Sequence, residues 1–145
     1  MKRKALTITL AAVMAMGTCA VTASAADGDT YTIGICQLVQ HEALDAATQG
    51  FKDEIVKELG EDAVTFDEQN AQGDSNTCST IINSFVSNNV DLILANATPA
   101  LQAAAAGTSD IPILGTSVTE YGVALGLDDF DGTVGGNISG TADLA

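Results

Sequence analysis

From residue 31 to residue 118, short β-prone runs alternate with stretches of helical spacing, and no other feature of the sequence constrains the fold as tightly. Tyr31 to Leu38 (YTIGICQL) reads as a first strand. Leu44, Ala47, Phe51, Ile55 and Leu59 then recur every three or four residues, the spacing of one helix face, and Gly60 stands where a helix C-cap belongs. Asp53 and Lys57 are spaced for an i,i+4 pair on the exposed face. Ala63 to Phe66 reads as a second strand. A second helix follows, with Asp74 or Ser75 as N-cap and an apolar stripe of Cys78, Ile81, Ile82, Phe85 and Val86. Val90 to Ala95 (VDLILA) is apolar enough for a strand covered on both faces. Thr98-Pro99 opens an Ala-rich helix, Thr98 as N-cap and Pro99 in the first turn, and Gly107 closes it before a fourth strand at Ile111 to Leu114. Strands separated by helical crossovers pair in parallel, and right-handed crossovers place helices on both faces of the sheet. The expected fold is therefore α/β, a parallel sheet with helices on both faces. After Val118 the pattern dissolves into residues rich in Gly, Asp and Thr, with no clear long element.

The first 25 residues read differently. Lys2, Arg3 and Lys4 precede an apolar run from Ala5 to Met16, and Ala23-Ser24-Ala25 offers a small-x-small exit just before Ala26 and Asp27. This is the order of a secretory signal peptide, and the run is too short for a permanent membrane span. Cleavage after Ala25 fits best. A lipid-anchored form through Cys19 is the alternative, although Thr18 is larger than the Gly, Ala or Ser usual before such a cysteine. Either route makes the protein extracytoplasmic. Removing the leader takes away three cations, so a chain already at −14 becomes still more acidic, with Lys52 and Lys57 as its remaining fixed positive charges. Such a surface repels nucleic acid and anionic lipid. It suits neutral, zwitterionic or cationic small molecules better than phosphate or sulfate. Cys36 falls in a strand and Cys78 in a helix. Export permits a disulfide between them, but sequence cannot show proximity, and two buried free thiols is the favoured reading.

In open parallel sheets, ligands bind beyond the C-terminal ends of the strands. Gln37, Gln40 and His41 follow the first strand, and Asp67, Glu68, Gln69 and Asn70 the second. Asn96 and Thr98 follow the third, and Thr116, Ser117, Thr119 and Glu120 the fourth. Of these, Gln40, His41, Asn96, Thr98, Thr116, Ser117, Thr119 and Glu120 are the candidate ligand contacts, because amides, hydroxyls and a free helix N-terminus suit a small polar ligand. The plainer alternative is that Thr98 only caps its helix and the other groups are solvated loop.

Motifs for catalysis are weak. His41 is the single histidine, which rules out a multi-His metal site, and a His at a helix start is most often a surface or capping residue. No Gly-x-Ser-x-Gly surrounds Ser117, and neither a Walker A sequence nor a Gly-x-Gly-x-x-Gly follows the first strand. Asp128-Asp129-Phe130-Asp131-Gly132 lacks the ligand spacing and closing Glu of a calcium loop. No cofactor or metal is expected.

One family fits several pieces of the chain in order. Gln40-His41-Glu42-Ala43-Leu44-Asp45-Ala46 with Gly50-Phe51-Lys52-Asp53 resembles the "EHPALDAA…GFKD" opening of ABC transporter substrate-binding proteins, some of which take up tryptophan, tyrosine or phenylalanine. Gln69 to Asp74, Asp91 to Ala95 with Ala97-Thr98-Pro99-Ala100, and Ile111 to Leu114 agree in register, and Gly136 to Asp143 resembles the family's "GNITGVSD". The family often has Asp-Pro where Glu120-Tyr121 stand here, and it is longer than this chain. The resemblance implies the first lobe of a type I periplasmic-binding-protein-like fold at 26–118, with 119–145 as a hinge or crossover toward a second lobe. It also implies a monomeric extracytoplasmic solute-binding component that serves an ABC permease, its solute an amino acid or similar small polar molecule. An α/β enzyme domain, such as a hydrolase or nucleotide-binding half, is the alternative function. If the solute is an amino acid, its carboxylate would meet the Thr98 and Ser117 hydroxyls and the N–H groups of Ala100 and Leu101, with Glu120 or an acid of the second lobe at the ammonium.

Overall fold

The computed structural model describes residues 28–143. The leader segment and Cys19 lie outside them. Ten elements follow in order: β1 (Tyr31–Gln37), α1 (Glu42–Leu59), a 3-10 turn (Glu61–Ala63), β2 (Val64–Asn70), α2 (Ser75–Ser87), β3 (Leu92–Asn96), α3 (Thr98–Gly107), β4 (Ile113–Val118), α4 (Tyr121–Leu125) and β5 (Ile138–Ala142). The strands form one sheet in the order β2-β1-β3-β4-β5, and every neighbouring pair is parallel. Three strands differ from the sequence reading by more than two residues, among them β4, which was expected at Ile111 to Leu114 and runs Ile113–Val118. β2 runs on through Asp67, Glu68, Gln69 and Asn70, expected in a loop, because each of them stays in register with β1. β5 is a fifth strand that the pattern did not reveal: with Ser139, Gly140, Thr141 and Ala142 exposed, it has no alternation to detect.

Side chains alternate across the sheet and fill two apolar layers. On one face, Ile33, Ile35 and Leu94 pack under Phe51 and Ile55 of α1. On the other, Cys36, Ile93, Ala95 and Ile113 meet Cys78, Ile81, Ile82 and Phe85 of α2 and Ala100, Leu101, Ala103 and Ala104 of α3. Gly34 makes room for this second layer, since a Cβ there would come within 2.6 Å of the Phe85 ring. The alanines of α3 act similarly by letting a helix lie close to the sheet.

Local chemistry sets the helix ends. The Asp74 carboxylate accepts from the N–H groups of Asn76 (2.6 Å) and Thr77 (3.1 Å) and caps α2, as expected. Gly60, at φ 94°, ends α1. Lys57 pairs with Glu54 at 2.8 Å rather than with Asp53, whose carboxylate accepts from Gln49. At i,i+3 Glu54 is as near a neighbour on the helix surface as Asp53 at i,i+4. β5 is tied in by Asn137, whose Nδ2 donates to the carbonyls of Thr108 (3.1 Å) and Ile111 (2.8 Å). Tyr121 is buried against Gly115 and Gly140, and its hydroxyl donates to the Thr141 carbonyl at 3.3 Å. Among the described residues, no helix is long and apolar enough to cross a membrane.

Candidate functional site

Four polar residues lie in one row across the C-terminal ends of the strands. Asn70 pairs with Gln37, Gln37 with Asn96, and Asn96 with Thr116. Two of them are far more buried than loop residues would be, at 4% exposure for Gln37 and 0% for Asn96. They are held from α1, whose Thr48 is 3% exposed. The Thr48 hydroxyl donates to Gln37 Oε1 at 2.8 Å, and Gln37 Nε2 donates to Asp45 Oδ1 at 2.6 Å and to the Val39 carbonyl at 3.0 Å. Asn96 Nδ2 donates to Thr48 Oγ1 (2.9 Å) and to the Leu44 carbonyl (2.8 Å). This chain of bonds fixes α1 to the tips of β1 and β3. The Asn96 Nδ2 is thus committed to α1, and its buried Oδ1 has no partner among the described residues. Asp45 and Thr48 were missed by the sequence reading. Thr48 is the one buried residue of α1, and a lone hydroxyl gives no periodic signal.

The second feature is the junction of β3 and β4. Beyond the paired Asn96 and Thr116, the backbone enters the left-handed half of φ space at two residues that are not glycine, Ala97 (φ 95°) and Ser117 (φ 56°). A side chain makes such conformations costly, and they persist where the surrounding structure imposes them, often at functional sites. At Ala97 the constraints are visible. Its N–H donates to the Thr116 carbonyl at 3.0 Å, and its own carbonyl accepts from Leu101 N–H at 3.1 Å. At Ser117 the pairing with β5 shifts register between Gly115 and Val118.

The N-terminus of α3 consequently differs from the sequence reading. Ala97, not Thr98, is the N-cap, and no side chain caps the helix. Thr98 is already helical, so its hydroxyl does not compete for the first-turn N–H groups. Leu101 N–H is consumed by Ala97, which excludes it as a donor to a ligand carboxylate. Thr98 and Ala100 are the first-turn residues whose N–H groups lie outside the helical ladder, Pro99 having none. They sit at the positive end of the helix dipole.

The remaining candidates lie at the ends of β1 and β4. His41 caps α1, its Nδ1 accepting from Ala43 N–H at 3.2 Å, and Gln40 is exposed beside it. Thr116 and Ser117 are half-buried within β4 rather than beyond it. Thr119 is exposed between β4 and α4. Glu120 caps α4, its carboxylate accepting from the N–H groups of Gly122 and Val123. Lys52 stands apart on the α1–β2 flank, paired with Glu68 at 2.8 Å and 5.5 Å from the centroid of the Phe66 ring. A cavity of about 580 Å³ reaches Thr119 and Glu120 from beside β5 but is not lined by the first turn of α3. No cluster of three or more metal-ligating side chains occurs among the described residues.

Known proteins share this fold. A family model for ABC transporter substrate binding proteins matches residues 32–145. A tyrosine-binding protein of Clostridioides difficile (strain R20291) is 46% identical over 117 residues, covering 77% of this chain and 32% of its own length. The ligand-free, open structure of a Clostridium difficile substrate binding protein with adhesive properties is 43% identical, with a TM-score of 0.72 over 80% of this chain and 40% of that one. A Streptococcus pneumonia ABC domain solved in complex with L-Trp is 32% identical, with a TM-score of 0.72 over 80% and 39% of the two chains. The fold is that of the first lobe of a type I periplasmic-binding protein. The chain thus spans about a third of the curated relative's length. Its five-stranded parallel sheet and the family match over almost all of its described length lead to one assignment: this chain belongs to the ABC transporter substrate-binding protein family.

Proposed function

We propose that this chain forms the first lobe of an extracytoplasmic solute-binding component that delivers an amino acid to an ABC permease. Residues 119–145 lead from this lobe toward a second one. The observation that carries the reading is the junction of β3 and β4, where an uncapped helix N-terminus lies beside two non-glycine residues held at positive φ. Such an end offers an anion backbone donors and about half a positive charge without a cation. The Thr98 and Ser117 hydroxyls, with the Thr98 and Ala100 N–H groups, are its donors to the solute carboxylate. Gln40, His41, Thr116 and Thr119 border it, and an acid of the second lobe meets the ammonium, since Glu120 is engaged as a helix cap. The relatives named for tyrosine binding and solved with L-Trp support an aromatic amino acid as the solute.

The test is titration of a two-lobed form of the protein with tyrosine, tryptophan and isoleucine. Ser117→Ala and Thr98→Ala are each expected to weaken binding by about 1–3 kcal/mol, the cost of losing a hydrogen bond to a charged group. Lys52→Ala should leave it nearly unchanged. If Lys52→Ala abolishes binding and Ser117→Ala is silent, the carboxylate is not held at these strand ends.

A further inference from the structure

The short helix α4 is held at both ends. Glu120 caps its start, and Gly126, left-handed at φ 63°, turns the chain so that Leu127 N–H donates back to the Gly122 carbonyl at 2.8 Å. Gln102 of α3 donates to the Ala124 carbonyl at 2.8 Å. Phe130 packs on Gly122, where a Cβ would come within 2.7 Å of it. Tyr121, Gly122 and Ala124 are buried, but Val123 between them is 83% exposed, the most exposed large hydrophobic among the described residues. With Leu127 and Phe130 it lines a groove of about 360 Å³ whose walls include Asp128. Asp129 and Asp131 are exposed close by in the chain. The two lysines among the described residues lie on α1 and are engaged by Glu68 and Glu54, so neither pairs with these aspartates. A single exposed valine needs no explanation. Three apolar side chains sharing one groove, with carboxylates beside it, have the composition of an interaction surface.

We propose that the α4 groove is where this lobe docks on the extracytoplasmic face of the ABC permease. Val123 and Leu127 form the apolar centre of the contact, and Asp128, Asp129 and Asp131 meet cationic side chains of the permease around it. The identity of the partner rests on the proposed function; the surface rests on the groove and its charge. Position agrees with this partner. α4 starts just beyond the C-terminal end of β4, the end of the sheet that carries the candidate site, so docking there turns that end of the lobe toward the permease. Charge selects among occupants. A second copy of this chain would bring the same aspartates, and anionic lipid would bring like charge, so both are repelled. A surface with lysine or arginine around an apolar centre is attracted and fits. In such a contact the charged rim mainly sets how fast the partners meet, and the apolar centre mainly sets how long they stay together.

The experiment separates solute binding from delivery. Val123→Asp and the double variant Asp128→Asn, Asp131→Asn are made in a two-lobed form of the protein, and each is titrated with tyrosine, tryptophan and isoleucine. Uptake of the radiolabelled amino acid that the wild type binds is then measured in cells whose only copy of the gene carries the variant, at matched amounts of exported protein. Both variants are expected to bind the solute with wild-type affinity and to support uptake about tenfold more slowly than the wild type at low solute concentration. Wild-type uptake in both variants would overturn the proposal. So would a loss of solute affinity in step with uptake, because the substitutions would then act on the fold or the solute site rather than on docking. Sedimentation of the wild type supplies a further arm: a dimer that Val123→Asp splits would assign the groove to a second copy instead of the permease. A wild type that binds none of the three amino acids would sink the proposed function itself, and the docking surface with it.

Discussion

At the scale of single residues, the polar and titratable groups of this lobe are set by what they pack against. Gly34 admits the Phe85 ring, Gly115 and Gly140 admit the Tyr121 hydroxyl, and Thr48 turns a helix face into an anchor for Gln37 and Asn96. Burial raises the pKa values of Cys36, Cys78 and Tyr121, each by desolvation first. All three are neutral when protonated. A folded-state value above the unfolded one means that the native state holds its proton more tightly, so this contribution is fully present below the unfolded pKa. It is lost as the pH rises above about 9, the ordinary thiol value, and then above the ordinary tyrosine value of 10.0. In reductant, the urea midpoint of the chain should fall steadily across that alkaline interval. A midpoint that stays level or rises there would show that these groups are not desolvated in the folded protein.

Elements end where a side chain or a turn conformation supplies the missing hydrogen bonds, and α2 and α3 solve this differently. α2 relies on Asp74, whose carboxylate takes two first-turn N–H groups. Asp74→Ala should therefore cost about 1 kcal/mol and lower the melting temperature by roughly 4 °C, whereas Asp74→Asn should retain most of the stability. Equal losses in both variants, measured by thermal unfolding, would mean that the cap hydrogen bond is not what matters at Asp74. α3 has no such cap, and that is the informative contrast. A helix end left open in an otherwise well-capped lobe is what an anion-binding role requires. The Thr-Pro pair suggested a capped start, but the φ of 95° at Ala97 moved the boundary by one residue and freed Thr98.

At the scale of the whole molecule, the proposed function makes this chain one wall of a two-walled site. Proteins of this fold close two lobes around a solute, so this chain should bind tyrosine or tryptophan several powers of ten more weakly than a two-lobed form, each tenfold being about 1.4 kcal/mol. Isothermal titration of both would decide it, and micromolar affinity in this chain alone would show that the wall is sufficient. The parallel pairing of β1 to β4, the two-faced cover and the family were legible in the sequence, because the hydrophobic period of each strand and helix is a local rule and strands joined by helical crossovers pair in parallel. The caps at Gly60 and Asp74 were legible for the same reason. The fifth strand was not, since an exposed edge strand of Ser, Gly and Thr has no periodicity and is recruited by backbone pairing with β4. Nor were the buried network from Asp45 to Asn96 or the left-handed turns at Ala97 and Ser117. Each of these depends on which distant segment arrives opposite a residue, and that is decided only when the strands come into register and the helices close over them.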